Sequence, residues 1–275
     1  MWEARYGLNL AINDRYLTPA GNGVTVLQAY INGTDPNDYY QGVVPVISTV
    51  TGSDGQMDLQ GFVSVQVGSA NGSVLSNAPV TIAVTTGASQ LLATSGGSPA
   101  TSPLQIRTDS QGGANFYLSF STYKPETIVV TGGGISHSIT IQPPLTDSGG
   151  NGLPDLWEIT YFGQTGVDHN VDSDGDGITN LQEFQKGTDP SDYYNGVLPQ
   201  LTSQVPGDGR LASDGSIGLI VTDSVGHFLA NAPVFFAVKQ GGHHLSATLG
   251  GSPVDQLTVR SDANGLARIY IFPGN

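Results

Sequence analysis

A twelve-residue acidic segment, DSDGDGITNLQE at Asp172–Glu183, contains the residue types that bind a divalent cation. Acids stand at its positions 1, 3 and 5, glycine at 6, asparagine at 9 and glutamate at 12, the pattern of a calcium loop. Because Ca²⁺ takes six to eight oxygen ligands, no single carboxylate is sufficient. We predict that Glu183 supplies two oxygens and Ile178 its backbone carbonyl, with Asn180 ligating directly or through water. The predicted ligands are Asp172, Asp174, Asp176, Ile178, Asn180 and Glu183.

A second segment of the same length, DSGGNGLPDLWE at Asp147–Glu158, follows the pattern less closely. Its third position is Gly149, so it is one carboxylate short of the first loop. Pro154 stands where a helix can begin, and a capped helix start is therefore an equal alternative to a calcium site. The ligands of this second predicted site are Asp147, Asn151, Leu153, Asp155 and Glu158.

The charge of the chain is concentrated around these loops. Residues 147–192 contain ten acids and one base, and so supply −9 of the formal net charge of −14. This balance attracts cations and repels phosphate backbones and anionic lipid, which disfavours nucleic-acid binding. No apolar run approaches the ~18 residues of a membrane span, and no export signal is evident at the N-terminus.

Short helices are expected to carry the loop ends. Ile178, Leu181 and Phe184 have helical spacing, and Gly187 ends the segment. The residues before the loop, VDHN, do not continue as an incoming helix, so a loop-helix unit is predicted. This unit resembles the calcium modules of dockerins and thrombospondin type 3 repeats.

The chain is a tandem repeat with an offset of 154 residues, because NGTDPNDYYQGVVP at Asn32–Pro45 recurs as KGTDPSDYYNGVLP at Lys186–Pro199. The first copy lacks the acids of the calcium loop, and we predict a module there that keeps its apolar shape without metal. The repeated tyrosine pairs are expected to pack the junction between each module and the next segment. The residues at the four acidic positions of the first copy are Thr18, Ala20, Asn22 and Ala29.

The segments between the modules read as β-strands. FVSVQV from Phe62 and VTIAV from Val80 are short apolar or alternating runs between turn clusters. About seven antiparallel strands per sandwich are predicted. The second copy has no counterpart of Thr127–Gln142, so we expect an incomplete sandwich. Its open edge is expected either to pair with other copies of the chain by strand addition or to leave the C-terminal domain poorly ordered.

These segments resemble the bacterial immunoglobulin-like domains of intimin and invasin type surface proteins. The resemblance rests on Asn77-Ala-Pro-Val80 and Arg107-Thr-Asp109, with Gly112 and Ala114, and on their repeats at Asn231, Arg260, Gly265 and Ala267. It covers well over half of the chain. The expected fold is mainly β, with two immunoglobulin-like sandwiches alternating with EF-hand-like modules. The predicted domains are a metal-less module at 1–44, a sandwich at 45–144, a calcium module at 145–198 and an incomplete sandwich at 199–275.

The sequence favours a structural function over a catalytic one. It contains no cysteine, no nucleophile elbow, no phosphate loop and no acid pair with distinguishable roles. The resemblance implies a calcium-stabilised spacer or adhesive segment of an extracellular bacterial surface protein, of which Rhs-type proteins are one kind, with a surface glycan or protein as partner. The alternatives are an accessory polysaccharide-binding module of a secreted enzyme and a self-assembling fibre or surface-layer subunit.

Overall fold

The computed structural model describes residues 1–50, 62–100, 102–205 and 211–273. They divide into two compact units, the first formed by 1–148 with 154–160 and the second by 149–153 with 161–275. Among these residues no helix is long and apolar enough to cross a bilayer. The predicted domain boundaries stay predictions, and residues 51–61, 101, 206–210 and 274–275 of the predicted sandwiches lie outside the described ranges. The helices are α1 (Trp2–Arg5), α2 (Val26–Asn32), α3 (Asp155–Phe162) and α4 (Asn180–Lys186).

The first unit contains two antiparallel four-stranded sheets, with strand orders β1-β2-β6-β4 and β5-β3-β7-β8. The mainly β, antiparallel architecture expected from the strand pattern is confirmed. The strands are β1 (Pro45–Val50), β2 (Phe62–Ser69), β3 (Pro79–Thr86), β4 (Gln90–Leu92), β5 (Leu104–Arg107), β6 (Gly113–Ser119), β7 (Glu126–Gly132) and β8 (Ile135–Ile141).

The core of this unit follows from the two-residue period of its strands, since alternate side chains face the same way. Val63, Val65 and Val67 of β2 are all buried, and they share one core with Phe116 of β6 and Ile128 of β7. Full burial of such side chains contributes about 1.5–3 kcal/mol each. Apolar burial from both sheets therefore stabilises the first sandwich.

The second unit repeats six of these eight strands. One sheet has the order β12-β14-β10-β9, equivalent to β4-β6-β2-β1, and the other contains β11 and β13, equivalent to β3 and β5. Among the described residues, β11 pairs with β13 along one edge and with no strand along the other. The strands are β9 (Gln200–Ser203), β10 (Ser216–Thr222), β11 (Pro233–Ala237), β12 (His244–Ser246), β13 (Gln256–Arg260) and β14 (Leu266–Phe272).

The helices α2 and α4 begin and end in the same way in the two copies. Thr25 and Thr179 are N-caps that each form a capping box with the glutamine three residues later. Gly33 and Gly187 end the helices in the left-handed conformation, with φ of 71° and 72°. Local capping therefore forms this helix whether or not acidic residues precede it.

Candidate metal centre

The carboxylates of Asp172, Asp174 and Asp176 converge in the loop before α4. One oxygen from each lies within 4.8 Å of the others, and this is the one such acidic cluster within the described part of the chain. The loop folds around Asp172, whose Oδ1 and Oδ2 accept hydrogen bonds from the amides of Gly175 (2.7 Å) and Gly177 (2.8 Å). The loop backbone thus fixes the three side chains as a group.

Gly175 and Gly177 permit this tight path. Their φ angles are 85° and 92°, a region that residues with a Cβ rarely adopt. A Cβ on Gly175 would also lie 2.2 Å from the side-chain nitrogen of Asn231. Both glycines are therefore required by the backbone of the loop.

Two carboxylate oxygens in the loop region are buried without a hydrogen-bond partner: Oδ2 of Asp174 and Oε2 of Glu183. The side chain of Asp174 is 6% exposed and that of Glu183 is 0% exposed. The other oxygen of Glu183 has only a long contact, 3.5 Å, from the hydroxyl of Thr188. A buried carboxylate is costly unless it is paired or coordinates a metal. This pair of oxygens therefore fits a cation.

Electrostatics at these two side chains agree with their burial. Desolvation, together with the charges of Asp176, Asp172 and Asp192, raises the pKa of Asp174 to about 6. Desolvation likewise raises the pKa of Glu183 to about 7, with Asp174 and Asp176 as the main charged contributors. The site thus carries an excess of negative charge, which a divalent cation would neutralise.

Asn180, the predicted ninth-position ligand, is engaged inside the loop. Its side chain is fully buried, its Oδ1 accepts from the hydroxyl of Ser173 at 2.8 Å, and its Nδ2 donates to the carbonyl of Asp168 at 2.9 Å. These bonds connect the loop to the segment before it. Metal ligation by Asn180 and by the Ile178 carbonyl stays a prediction.

Asn195 belongs to the site although it lies outside the twelve-residue pattern. Its Nδ2 donates to Oδ2 of Asp176 at 2.9 Å, and its Oδ1 accepts from the amide of Asp189 at 3.0 Å. The sequence indicates this contact only through a comparison of the two repeats, in which both partners change together. The first copy has Asn22 in place of Asp176 and Gln41 in place of Asn195.

The loop is attached to the sandwich of its own unit by side-chain bonds. Asn231 donates to the carbonyl of Gly175 at 2.8 Å, and Arg260 donates to the carbonyl of Asn231 at 2.7 Å. The hydroxyls of Tyr193 and Tyr194 donate to the carbonyls of Ala230 (2.6 Å) and Pro233 (2.7 Å). The tyrosine pair therefore packs this junction, as its position in the repeat predicts.

The first unit has the same attachment without the acids. Asn77 donates to the carbonyl of Gly21 at 2.8 Å, Arg107 to that of Asn77 at 2.7 Å, and Tyr40 to that of Pro79 at 2.7 Å. Asn22, in the place of Asp176, donates to the carbonyl of Tyr39 at 2.8 Å. The junction is thus independent of the acidic ligands.

The second predicted loop, Asp147–Glu158, shows the features of a helix start. Asp155 begins α3 and accepts hydrogen bonds from the amide (2.9 Å) and hydroxyl (2.7 Å) of Ser148, which lower its pKa. Thr160 of the same helix accepts from the amide of Tyr123 at 2.7 Å, which ties α3 to the first sandwich.

The other predicted residues of this loop have separate environments. Glu158 is fully buried. Asn151 Oδ1 accepts from the amide of Leu153 at 3.0 Å, and its Nδ2 donates to the carbonyl of Val167 at 2.9 Å. Among the described residues, Asp147, Asp155 and Glu158 do not form a close acidic cluster like that of the first loop. Their ligation of calcium stays a prediction.

Comparison with known proteins gives matches among solved structures only. No family profile and no curated protein match the sequence significantly. The chain is similar to the D0-D1 domains of intimin (14% identity, TM-score 0.24, 84% of this chain and 86% of that chain). It is also similar to invasin, a bacterial integrin-binding protein, with 14% identity and a TM-score of 0.26 over 84% of this chain and 34% of that chain. A further match is to domains 5-6 of the S-layer protein SbsC, with 11% identity and a TM-score of 0.25 over 84% of this chain and 86% of that chain. The chain thus spans about a third of the invasin structure. Because these TM-scores are below 0.5, the fold assignment rests on the strand pairing of the chain itself.

Proposed function

We propose that this chain is a non-catalytic structural segment whose second unit is stabilised by calcium bound in the Asp172–Glu183 loop. The observation that carries the proposal is the pair of buried, unpartnered carboxylate oxygens of Asp174 and Glu183 beside the clustered aspartates. Calcium is the cation proposed because the donors are hard oxygens in a twelve-residue loop with a terminal glutamate. The ion would hold the loop to α4 and neutralise the buried charge.

The wider context we propose is an extracellular bacterial surface protein. Two features support it: the tandem alternation of modules and sandwiches, and the resemblance of the repeated residues to intimin and invasin type domains. Millimolar extracellular calcium suffices to load loops of moderate affinity. In this context the segment is a spacer that presents other parts of an adhesive protein.

Calorimetry tests the calcium proposal. A ligand that binds only the folded state stabilises it by RT ln(1 + [L]/Kd), about 2.7 kcal/mol at one hundred times Kd. We expect millimolar Ca²⁺ to raise the melting temperature of the second unit and to leave that of the first unchanged. The same thermogram in calcium and in chelator would refute the assignment.

A matched pair of variants locates the ion. Asp174→Asn removes a proposed ligand, whereas Asp155→Asn alters the second predicted loop. We expect the calcium-induced shift to disappear in the first variant and to persist in the second. Retention of the full shift in Asp174→Asn, or its loss in Asp155→Asn, would place the ion elsewhere.

The self-assembly alternative has one supporting observation, the edge of β11 that carries no strand among the described residues. An exposed strand edge is a template for pairing with another polypeptide.

A further inference from the structure

Asn195 lies beyond the twelve-residue loop, in the segment that connects α4 to β9, yet it contacts the loop directly. Its Nδ2 donates to Oδ2 of Asp176 at 2.9 Å, while Oδ1 of Asp176 accepts from the amide of Ile178 at 2.7 Å. Both oxygens of this carboxylate are therefore held, one by the loop itself and one from outside it. The orientation of the Asp176 carboxylate thus depends on a residue that the loop pattern does not include.

The hydrogen bonds of Asn195 leave one orientation for its side-chain amide. Oδ1 accepts from the backbone amide of Asp189 at 3.0 Å. A rotated amide would place its oxygen against the Asp176 carboxylate and its N–H groups against the N–H of Asp189. The NH₂ group supplies two donors and no acceptor, so it cannot ligate a cation. Through this contact Asn195 therefore acts on the site by positioning Asp176.

The first unit has the same backbone at this place with a longer side chain. Gln41 is the repeat equivalent of Asn195, and the two residues have φ of 49° and 48°. Gln41 accepts from the hydroxyl of Thr34 at 2.6 Å and donates to the carbonyl of Asp35 at 2.9 Å. Both hydrogen bonds stay within the segment after α2. The longer amide thus bonds to its own segment in the unit whose loop has Asn22 in place of an acid.

The same exchange between the repeats changes the partner of a threonine hydroxyl. In the first unit the glutamine takes the hydroxyl of Thr34. In the second unit the equivalent Thr188 has its hydroxyl 3.5 Å from Oε1 of Glu183, which is completely buried. Asparagine at this place therefore leaves one donor beside Glu183 while it directs another to Asp176. These two carboxylates are the fifth and twelfth positions of the loop.

We propose that Asn195 is a positioning residue that determines the affinity of the metal site from outside the loop, a role that rests on the calcium function proposed above. With Asn195 in place, one oxygen of Asp176 is held within 4.8 Å of oxygens of Asp172 and Asp174 against the repulsion of their charges. Without this donor the carboxylate turns away and must be reoriented when the ion binds. Loss of an outer hydrogen bond to a metal ligand lowers metal affinity by roughly 10- to 100-fold.

Calcium titration of a residue exchange between the repeats tests the proposal. In Asn195→Gln the backbone is one that glutamine already adopts in the first unit, and we expect the introduced side chain to bond to Thr188 rather than to Asp176. Isothermal titration calorimetry of the 275-residue chain should show a calcium dissociation constant at least ~10-fold higher than that of the parent. The melting temperature in chelator should change little, because the introduced amide makes the hydrogen bonds that Gln41 makes in the first unit. A lower melting temperature in chelator with an unchanged dissociation constant would show a structural role only and overturn the proposal.

Two further variants separate the possible outcomes. Asn195→Gly removes the side chain at a positive φ that glycine adopts freely, and it should lose affinity by a similar factor. Gln41→Asn is the matched control, since it makes the reverse exchange in the unit without the acidic ligands and should leave the calcium affinity of the chain unchanged. Calcium binding by the parent with equal affinity in Asn195→Gln and Asn195→Gly would overturn this proposal and leave the calcium site in place. Absence of calcium binding by the parent would overturn both.

Discussion

The two buried carboxylates of the loop would stabilise the folded second unit when a cation is bound and destabilise it when no cation is bound. Asp174 and Glu183 favour a bound ion, but in its absence their charges are desolvated and close to other acids. The first copy has no such conflict, because Asn22 takes the place of an acid and donates to a backbone carbonyl. The proposed calcium affinity of the second copy would therefore be linked to instability of its metal-free form.

The first prediction concerns neutral replacements of these side chains. In chelator, Asp174→Asn and Glu183→Gln should each stabilise the second unit by about 1–3 kcal/mol, because each removes a buried negative charge that has no counter-ion and one oxygen without a hydrogen bond. In millimolar calcium the same variants should be less stable than the parent. Denaturant titrations in both media measure the crossover, and destabilisation in chelator would contradict it.

The second prediction is a pH dependence of the metal-free second unit. The folded-state pKa values of Asp174, about 6, and Glu183, about 7, lie above their ordinary values. A raised carboxyl pKa means that the folded state binds protons more tightly than the unfolded state, so stability falls as pH rises. Metal-free stability of the second unit should therefore decrease between about pH 4 and pH 7.

Thermal melts in chelator across this pH range measure the effect. Glu183→Gln is the control, since it removes the group with the higher pKa and should flatten the upper part of the curve. A melting temperature of the second unit that increases steadily from pH 4 to pH 7 would contradict the prediction.

The sequence reveals most directly those site residues that lie at fixed spacing within one short segment. Asp172, Asp174 and Asp176 are close in sequence, and the structure brings them together as the loop pattern predicts. Asn195 could not be found from that pattern, because its contact with Asp176 depends on the path of the chain after α4. The comparison of the two repeats is the one sequence signal for it.

At the scale of elements, the junction between module and sandwich is the most closely repeated contact. Tyr40 and Tyr194 each donate a hydrogen bond of 2.7 Å to a proline carbonyl at the start of a strand. Burial raises the pKa of Tyr40 to about 12 and also raises that of Tyr194, so both hydroxyls stay protonated donors at neutral pH.

The third prediction follows from this repetition. Tyr40→Phe and Tyr194→Phe should each destabilise their own unit by about 1 kcal/mol, the net contribution of a typical hydrogen bond. The loss in Tyr194→Phe should be the same in calcium and in chelator, because the first unit makes this contact without the acidic ligands. Double-mutant cycles with Asp174→Asn measure the coupling, and a coupling energy above about 0.5 kcal/mol would show that the ion controls the junction.

Elements were predictable where their local pattern is complete. The alternation in β2 indicates a strand with one buried face, and the spacing of Ile178, Leu181 and Phe184, with Gly187 after them, indicates α4. The first sandwich has eight strands where about seven were expected. The three-residue β4 (Gln90–Leu92) is too short to show alternation, and its pairing with β6 is a long-range contact.

At the scale of the whole molecule, the two units share the strand order of one sheet but have unequal cores. The core of the first includes Ile128, Val130 and Ile141, all completely buried in β7 and β8. The described part of the second unit has no equivalent of these strands. Its principal buried cluster consists of Val221, Ala232, Val234 and Ala267.

The last prediction is that equivalent strands of the two units differ in protection from hydrogen exchange. Loss of three fully buried aliphatic side chains, at about 1.5–3 kcal/mol each, lowers the free energy of opening by several kcal/mol. Amides of β11 should therefore exchange at least ~100-fold faster than those of β3, with Val234 and Val80 as a matched pair. Calcium should slow exchange in the loop and α4 but leave β11 fast, since the proposed ion would lie in the loop before α4 and not along the edge of β11. Equal protection of β3 and β11 in the chain alone would mean that six strands form a core as stable as eight.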